Sequence, residues 1–312
     1  ENYRRQKMAS KIRAACTKGD AMALKELLAQ AKSSVSVNAS GPGGVTPLHI
    51  ASQKGVVDLV NILLGHKADP NKLTADGVSC LYIAVSSKNQ NVIEALLKAR
   101  ADVNQPVNGA TPLWLSCYSD NIAAARSLLI SKANIDVPFS NGSTPLFVAC
   151  EEDNVEIVEL LLAQPEKPNL EATDERGSFP LFNACSCGSD RAVQLLLQAK
   201  ASTQTTCNNN ISPLHIAAMR GFTSAVTMLL ESGFEVDVQT EVEGATPLYL
   251  ACQEGQLDTV ATLVTAKANI DHRSSDGGSP LYIAQQNEHS ELCTYLLQQG
   301  AKEVSETTVL AS

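Results

Sequence analysis

Residues 43–71 read GGVTPLHIASQKGVVDLVNILLGHKADPN, and residues 76–104 read DGVSCLYIAVSSKNQNVIEALLKARADVN. The letters differ and the pattern does not, and self-similarity at a period of 20 to 50 residues changes the reading of a whole chain. Aligned on the four letters at Thr46, the slot returns as SCLY at Ser79, TPLW at Thr111, TPLF at Thr144, FPLF at Phe179, SPLH at Ser212, TPLY at Thr246 and SPLY at Ser279. The steps are 33, 32, 33, 35, 33, 34 and 33 residues. Seventeen and eighteen residues after each slot begins stands a pair of large aliphatics, from Leu63 and Leu64 to Leu296 and Leu297, with Leu263 and Val264 the one pair that is not Leu-Leu. All variation in length therefore falls after the pairs, in a connecting loop.

The local chemistry predicts two helices per unit. A Thr or Ser hydroxyl caps free N–H groups at a helix start, and Pro tolerates the first helical position because its missing donor is unneeded there. First helices are thus expected to open at Pro47, Pro112, Pro145, Pro180, Pro213, Pro247 and Pro280. The second helix, for example residues 57–64, places Val57, Val60, Leu63 and Leu64 at helical spacing on one buried stripe. One such hairpin cannot bury its own faces, so neighbours must, and stability becomes a sum of unit and interface contributions.

The consensus GxTPLHxAxxxGxxxxVxxLLxxxAxxN, written out in the first unit and recurring eight times over residues 43–301, resembles the ankyrin repeat family. That resemblance implies an all-α repeat: a solenoid of helix-turn-helix units with β-hairpin loops, curved, with a concave face that binds other proteins. Residues 1–40 are expected to form an N-terminal capping repeat, 41–301 eight repeats of which the last is the C-terminal cap, and 302–312 a flexible tail. In the first cap, Ala15, Gly19, Leu27 and Leu28 keep the register while Lys11, Arg13, Lys18 and Lys25 can face water; in the last, Gln285 replaces the usual small residue and Gln286, Asn287 and Glu288 follow it. The family usually has Gly after the second helix, where the backbone turns left-handed, and five repeats here have Lys67, Arg100, Lys132, Lys200 or Lys267. A non-Gly residue there costs about 1–2 kcal/mol, partly offset by a cation at a helix C-terminus.

Composition narrows the function. With 44% hydrophobic and 4% aromatic residues, the core must come mainly from Leu, Ala, Val, Ile and Cys, which suits thin helical layers. A net charge of −9 argues against nucleic-acid or anionic-membrane surfaces. No apolar run approaches the ~20 residues of a membrane span. Five cysteines, Cys16, Cys117, Cys150, Cys185 and Cys252, share the slot where the family has a buried Ala, and Cys293 is placed on the buried stripe of the last second helix. They read as small core hydrophobes in a reducing compartment, the cytoplasm with the nucleus as alternative, and not as metal ligands, since the CSC at Cys185 and Cys187 has no partner pair. His49 and His215 are the slot histidine, which in the family supports the hairpin turn. No serine elbow, paired carboxylates or phosphate loop is seen, so no catalytic residues, cofactor or metal are expected.

Recognition remains. In the family, partners lie along the concave face, above all at the positions seven and eight residues after the slot begins. Here these include Gln53 and Lys54, Tyr118, Glu151 and Glu152, Met219 and Arg220, and Gln253 and Glu254; Trp114, at the slot histidine, joins them. Tyr, Met and Arg are residue types that anchor interfaces. The expected partner is another protein or peptide, bound by a monomeric scaffold or adaptor without nucleic-acid binding or membrane insertion. A weaker similarity, in PLFNACSCGSDRAVQLLLQAKASTQ and ATPLYLACQEG, to the arrays of ankyrin repeat and SOCS box proteins implies a ubiquitin-ligase substrate receptor as the alternative. A targeting arm of a larger enzyme is the third reading.

Overall fold

A computed structural model describes residues 2–30 and 37–303 of the 312, and the chain divides into two compact units, residues 1–140 and 141–312. Among the described residues, unit 1 holds four helical hairpins: α1 Asn2–Lys18 with α2 Ala21–Gln30, α3 Pro47–Lys54 with α4 Val57–Gly65, α5 Cys80–Ser86 with α6 Gln90–Lys98, and α7 Pro112–Tyr118 with α8 Ile122–Ile130. Its first helices pack in one row, α1 on α3 on α5 on α7, and its second helices in another, α2 on α4 on α6 on α8. The described residues of unit 2 hold five: α9 Pro145–Glu151 with α10 Val155–Leu162, α11 Pro180–Cys187 with α12 Asp190–Gln198, α13 Pro213–Arg220 with α14 Thr223–Glu231, α15 Pro247–Gln253 with α16 Leu257–Thr265, and α17 Pro280–Gln286 with α18 Ser290–Gln298. Again α9, α11, α13, α15 and α17 form one row, and α10, α12, α14 and α16 a second.

Every Pro named from the sequence does open a first helix, and α5 opens at Cys80 without one. The cap explains why. Hydroxyls of Thr46, Ser79, Thr111, Thr144, Ser212, Thr246 and Ser279 each accept the N–H three residues on, at 3.1–3.4 Å. Phe179 offers no hydroxyl; its ring is fully buried instead, so the position contributes apolar burial where the others contribute a hydrogen bond. The two slot histidines do more than close a turn. His215 Nδ1 accepts the Ser212 N–H at 3.1 Å while Nε2 donates to Ala245 O, thirty residues on, at 3.0 Å; His49 makes the same pair with Thr46 and with Val78 O. Each ring thus joins its own cap to the next repeat's loop.

The buried stripe differs in detail from the expected one. On α4 it is Leu59, Val60 and Leu63, with Val57 and Leu64 only half-buried. The same holds down both units: the first aliphatic of every pair is fully buried, and the second is half-exposed or, at Leu297, 42% exposed. Adjacent positions point about 100° apart on a helix, so one stripe cannot hold both. In α2 the order inverts, with Leu24 and Leu28 buried and Leu27 half-buried, and Arg13 is half-buried against Gly41 while Lys11, Lys18 and Lys25 are exposed.

The expected β-hairpins are reduced to turns. Among the described residues there is no strand, only isolated bridges at Val107 with Ala110 and Cys207 with Ile211. Each loop arm is closed by about one bond, such as Thr74 N to Val78 O at 3.0 Å, and its tip then bonds sideways to the neighbouring tip. Ala75 N donates to Gly43 O in unit 1; Glu175 N to Asn141 O, Glu241 N to Asn209 O and Ser275 N to Glu243 O do so in unit 2, all at 2.8–3.0 Å. The Asn that ends the consensus works the same way: Asn38 and Asn71 Oδ1 accept Asp69 and Asp102 N–H at 2.8 and 2.7 Å.

Lys67, Arg100, Lys132, Lys200 and Lys267 are left-handed, with φ between 61° and 73°, as expected from the sequence. A second left-handed position, between the two helices of a hairpin, is not anticipated. Gly55, Gly188, Gly221 and Gly255 stand there in four repeats, while Lys88, Asp120, Asp153 and Glu288 adopt φ of 50–60° in the other four. Residues 304–312 of the expected tail, and 31–36 within the first cap, lie outside the described residues.

Candidate partner-binding face

The expected contact residues stand where first helices end, except Trp114, which lies in the first turn of α7. Gln53 and Lys54 are the last two residues of α3, Tyr118 the last of α7, Met219 and Arg220 the last two of α13, and Gln253 the last of α15. Glu151 closes α9 and Glu152 and Glu254 are C-cap residues. Helix ends point away from the packed stripe, so most of these side chains are exposed; Met219 and Gln253 are half-buried.

In unit 1 the structure groups rings. Trp114, half-buried, stacks on Tyr118 at 5.5 Å with an 11° angle between planes and on Phe139 at 4.7 Å with 28°. Tyr118 is 51% exposed, so the stack runs from the core side outward and presents its last ring to solvent. Lys88 Nζ donates to Ser119 O at 2.7 Å, holding the end of α7. Phe139 escapes the sequence reading because it comes from the loop, where no period marks it. Of the other slot rings, Phe147 and Tyr249 are buried, and Tyr82, Phe182 and Tyr282 are half-buried.

In unit 2 Glu151 meets a loop residue that the repeat register also conceals. Arg176 reaches its carboxylate at 3.9 Å while bonding Asp174 at 3.1 Å; Asp174 is buried and accepts the N–H groups of Arg176 and Ser178. Burial raises the Glu151 carboxyl above its ordinary value, Arg176 opposes that, and Glu152 and Asp174 add to it. Cys187 is exposed, and its thiol donates to Glu151 O at 3.1 Å.

Two clefts in unit 2 lie beside loops longer than that of the commonest repeat. One, of about 550 Å³, lies between first helices and loop tips and is lined by Tyr249, Gln253, Ile283, Glu243, Ser274 and Asp276 among others. The second, of about 600 Å³, is lined by α10 and α12 residues, with Lys167, Pro168 and Leu170 of the intervening loop and the Glu159–Arg191 pair at 2.6 Å. Gln253 is the one anticipated contact residue that lines either.

The slot cysteines follow the core reading, and Cys293 corrects it. Cys16, Cys117, Cys150, Cys185 and Cys252 are buried, and burial pushes the Cys16 thiol up to about 12 and those of Cys117, Cys185 and Cys252 higher still. Cys293 is only half-buried, because α18 turns Leu292 and Leu296 inward instead. Cys187, one of the CSC pair, is at the surface. Among the described residues no three His, Cys, Asp or Glu side chains are placed to hold a metal, and no helix is long and apolar enough to cross a membrane.

The family model described as ankyrin repeats in three copies matches residues 12–107, 101–174, 164–240 and 233–307. The chain is similar to an ankyrin repeat protein of fowlpox virus (strain NVSL), 39% identical over 74 residues, which are 24% of this chain and 11% of that protein. It is similar to a protein of Oryza sativa subsp. japonica named as the E3 ubiquitin-protein ligase XBOS32, 38% identical over 95 residues, 30% of this chain and 19% of that one. Over 83% of its own length it is 23% identical to the human transient receptor potential cation channel subfamily A member 1, covering 24% of that protein. The chain spans less than a quarter of the length of each of these relatives.

Proposed function

The chain belongs to the ankyrin repeat family, and on that premise we propose that it is a non-catalytic recognition module, a scaffold or adaptor, that takes a protein or peptide along the face made by first-helix ends and loop tips. The observation that carries the reading is the contrast within one register. The position six residues after each slot begins is buried wherever Cys occupies it, while the next two positions are mostly exposed and change chemistry from repeat to repeat: Gln-Lys, Tyr-Ser, Glu-Glu, Met-Arg. A surface released from packing and supplied with an aromatic stack, an acidic pair and a basic residue has the composition of an interface core and rim. In this reading residues 1–40 are a capping repeat, 41–301 the eight working repeats and 302–312 a tail. A net charge of −9 supports a protein ligand over nucleic acid. The module acts as a monomer in the cytoplasm or nucleus.

The similarity to the rice protein named as an E3 ubiquitin-protein ligase supports one second reading, in which the array selects substrates for a ligase carried elsewhere. The test of the main reading is capture from lysate by the wild type and by Tyr118→Ala with Glu151→Lys. Loss of a specific protein with an unchanged melting curve supports the face; identical captures by both forms sink it. Ubiquitin-ligase subunits among the captured proteins would move the weight to the second reading.

A further inference from the structure

The step from Ser212 to Thr246 is one residue longer than the commonest step, and the loop before Thr246 carries residues 241–243 at its tip. There Val242 stands 67% exposed and the cleft of about 550 Å³ opens beneath it. Its floor is apolar, from Tyr249 on α15 and Ile283 on α17; its walls are the loop tips carrying Glu243 and Asp276. The tips are tied to each other, Ser275 N to Glu243 O at 2.8 Å and Ser275 Oγ to Val242 O at 3.2 Å, so the walls are held and not left to side-chain chance.

The charge is uncompensated. Asp276 Oδ1 accepts the Ser274 hydroxyl at 2.5 Å and Gly278 N–H at 3.1 Å, and Oδ2 has no hydrogen-bond partner among the described residues. Among the described residues no Lys or Arg lines the cleft; the nearby Arg273 directs its guanidinium back to Gly277 O at 2.9 Å. The phenol of Tyr249 is raised first by burial, with Asp276, Glu243 and Tyr282 adding to it against an opposing contact with Ser274, and both carboxylates line the same cleft as this ring. The register shows that this is particular to the place. The equivalent tip residues are Gly43, Asp76 and Asn108 in unit 1 and Asn141, Arg176, Asn209, Glu243 and Asp276 in unit 2, and only the last two put carboxylates on consecutive tips.

A side chain that fits must lay an aliphatic stem over a Tyr–Ile floor and end in a cation between two carboxylates. Lysine and arginine have that form: stems that bury against apolar surface, heads that make charge-assisted hydrogen bonds, and attraction to an aromatic face. We propose that this cleft receives a lysine or arginine side chain from an extended segment of the partner. The proposal rests on the recognition-module reading and narrows it to a ligand that is basic where it crosses α15 and α17.

The experiment follows the Ile283 methyl signal by NMR in the whole chain, labelled at isoleucine methyls. The probes are acetylated, amidated heptapeptides of Gly and Ser with one central residue, arginine, lysine, norleucine or glutamate, titrated to ~10 mM, where single-contact ligands still register. Arginine or lysine should shift Ile283 saturably and leave Ile50 unmoved, with affinity falling as salt rises; norleucine and glutamate should not. Glu243→Gln with Asp276→Asn keeps the backbone contacts and should lower that affinity ~fivefold or more, and Glu243→Gln alone, an exposed change, should lower it less. Absence of a saturable shift with both basic peptides, an equal response to norleucine, or full affinity in the double variant would each overturn the assignment. The ladder variant with Tyr118→Ala and Glu151→Lys separates the two readings. If it loses its partner while the basic peptides fail, the cleft falls and the face stands; if it keeps its partner, the face falls whatever the peptides do.

Discussion

The α13/α14 and α17/α18 hairpins of unit 2 begin on the same pattern, SPLHIAAMRG and SPLYIAQQNE through their first helices, and they are not equally buried. In α13 six consecutive residues, from Pro213 to Ala218, are buried, and in α14 Ala225, Val226 and Leu229. In α17 only Pro280, Leu281 and Ala284 are buried, and in α18 only Leu292 and Leu296. The difference is one of neighbours: α13 packs between α11 and α15, whereas α17 packs on α15. A helical hairpin of this type has no core of its own; the core is made at its junctions.

The largest expected effect tests that directly. Leu229→Ala should cost roughly 2–5 kcal/mol, since the residue is fully enclosed and its cavity has little freedom to collapse. Leu296→Ala removes the same atoms from a side chain that is just as inaccessible but sits beside the half-buried Cys293 and the 42% exposed Leu297, so it should fall at the lower end. Urea unfolding of both variants measures the gap, and equal losses would mean that junctions do not set the stability.

The slot residue distinguishes the two hairpins by pH. His215 is fully buried, and burial, against its bonds to Ala245 and Val238, lowers its pKa to about 4. The unfolded chain protonates the same imidazole near 6.5. Between those values the unfolded state binds more protons, so the stabilising contribution is complete above about pH 6.5 and is lost as pH falls toward about 4. The ceiling is on the order of 3 kcal/mol at ~1.4 per pKa unit. Tyr282 fills the slot in α17, so amide exchange should accelerate in α13 over this range before it does in α17. A His215→Tyr variant should flatten the α13 response, and an unchanged pH profile in that variant would assign the effect to other groups.

Thiol labelling gives a third measure of the same contrast. Cys252 on α15 is fully buried and Cys293 on α18 is half-buried, so a thiol reagent should modify Cys293 in the native state and Cys252 only after denaturant, ~10²-fold slower or more. Cys117 and Cys150 should behave like Cys252, and Cys187 should react without denaturant. Labelling Cys252 as fast as Cys293 would refute the packing account.

What could be read beforehand divides along the same line. The 33-residue period, the capped Pro starts, the Cys in the Ala slot and the left-handed lysines are properties of one unit, and each unit states them in its own letters. The burial of Leu63 over Leu64 was missed because a pattern that scores both as apolar cannot say which faces the junction. Phe139 against Trp114, Arg176 against Glu151 and Asp276 beside Glu243 were missed for a further reason. They pair a loop tip of one repeat with a helix end or tip of another, and loop tips keep no periodic signal. The face was legible as a set of positions on the first helices, and its other half was not.

The smallest predicted effect concerns those left-handed turns. After α14 the chain turns at Gly233, with φ of 91°, while after α16 it turns at Lys267, with φ of 68°. Lys267 accepts a strain of about 1–2 kcal/mol. Against it stand the greater unfolded-state freedom that a glycine would bring, about 0.5–1 kcal/mol, and the favourable cation at the C-terminus of α16, about 0.3–1 kcal/mol. These nearly cancel, so Lys267→Gly should move stability by no more than about 1 kcal/mol. Gly233→Lys is not its mirror image. A Cβ at Gly233 meets no atom within 4 Å, so there is no clash, but the backbone must close from 91° toward the 61–73° that the five cationic turns adopt. Glu231 also sits in the last turn of α14, so an added lysine meets a carboxylate as well as the helix end. The loss should come from strain and from the bend imposed on the turn, about 1 kcal/mol, and the urea midpoint should fall further in Gly233→Lys than it moves in Lys267→Gly. If both fall, the lysines hold the turn better than glycine does, and their recurrence after five second helices has a stabilising cause that the backbone alone does not supply.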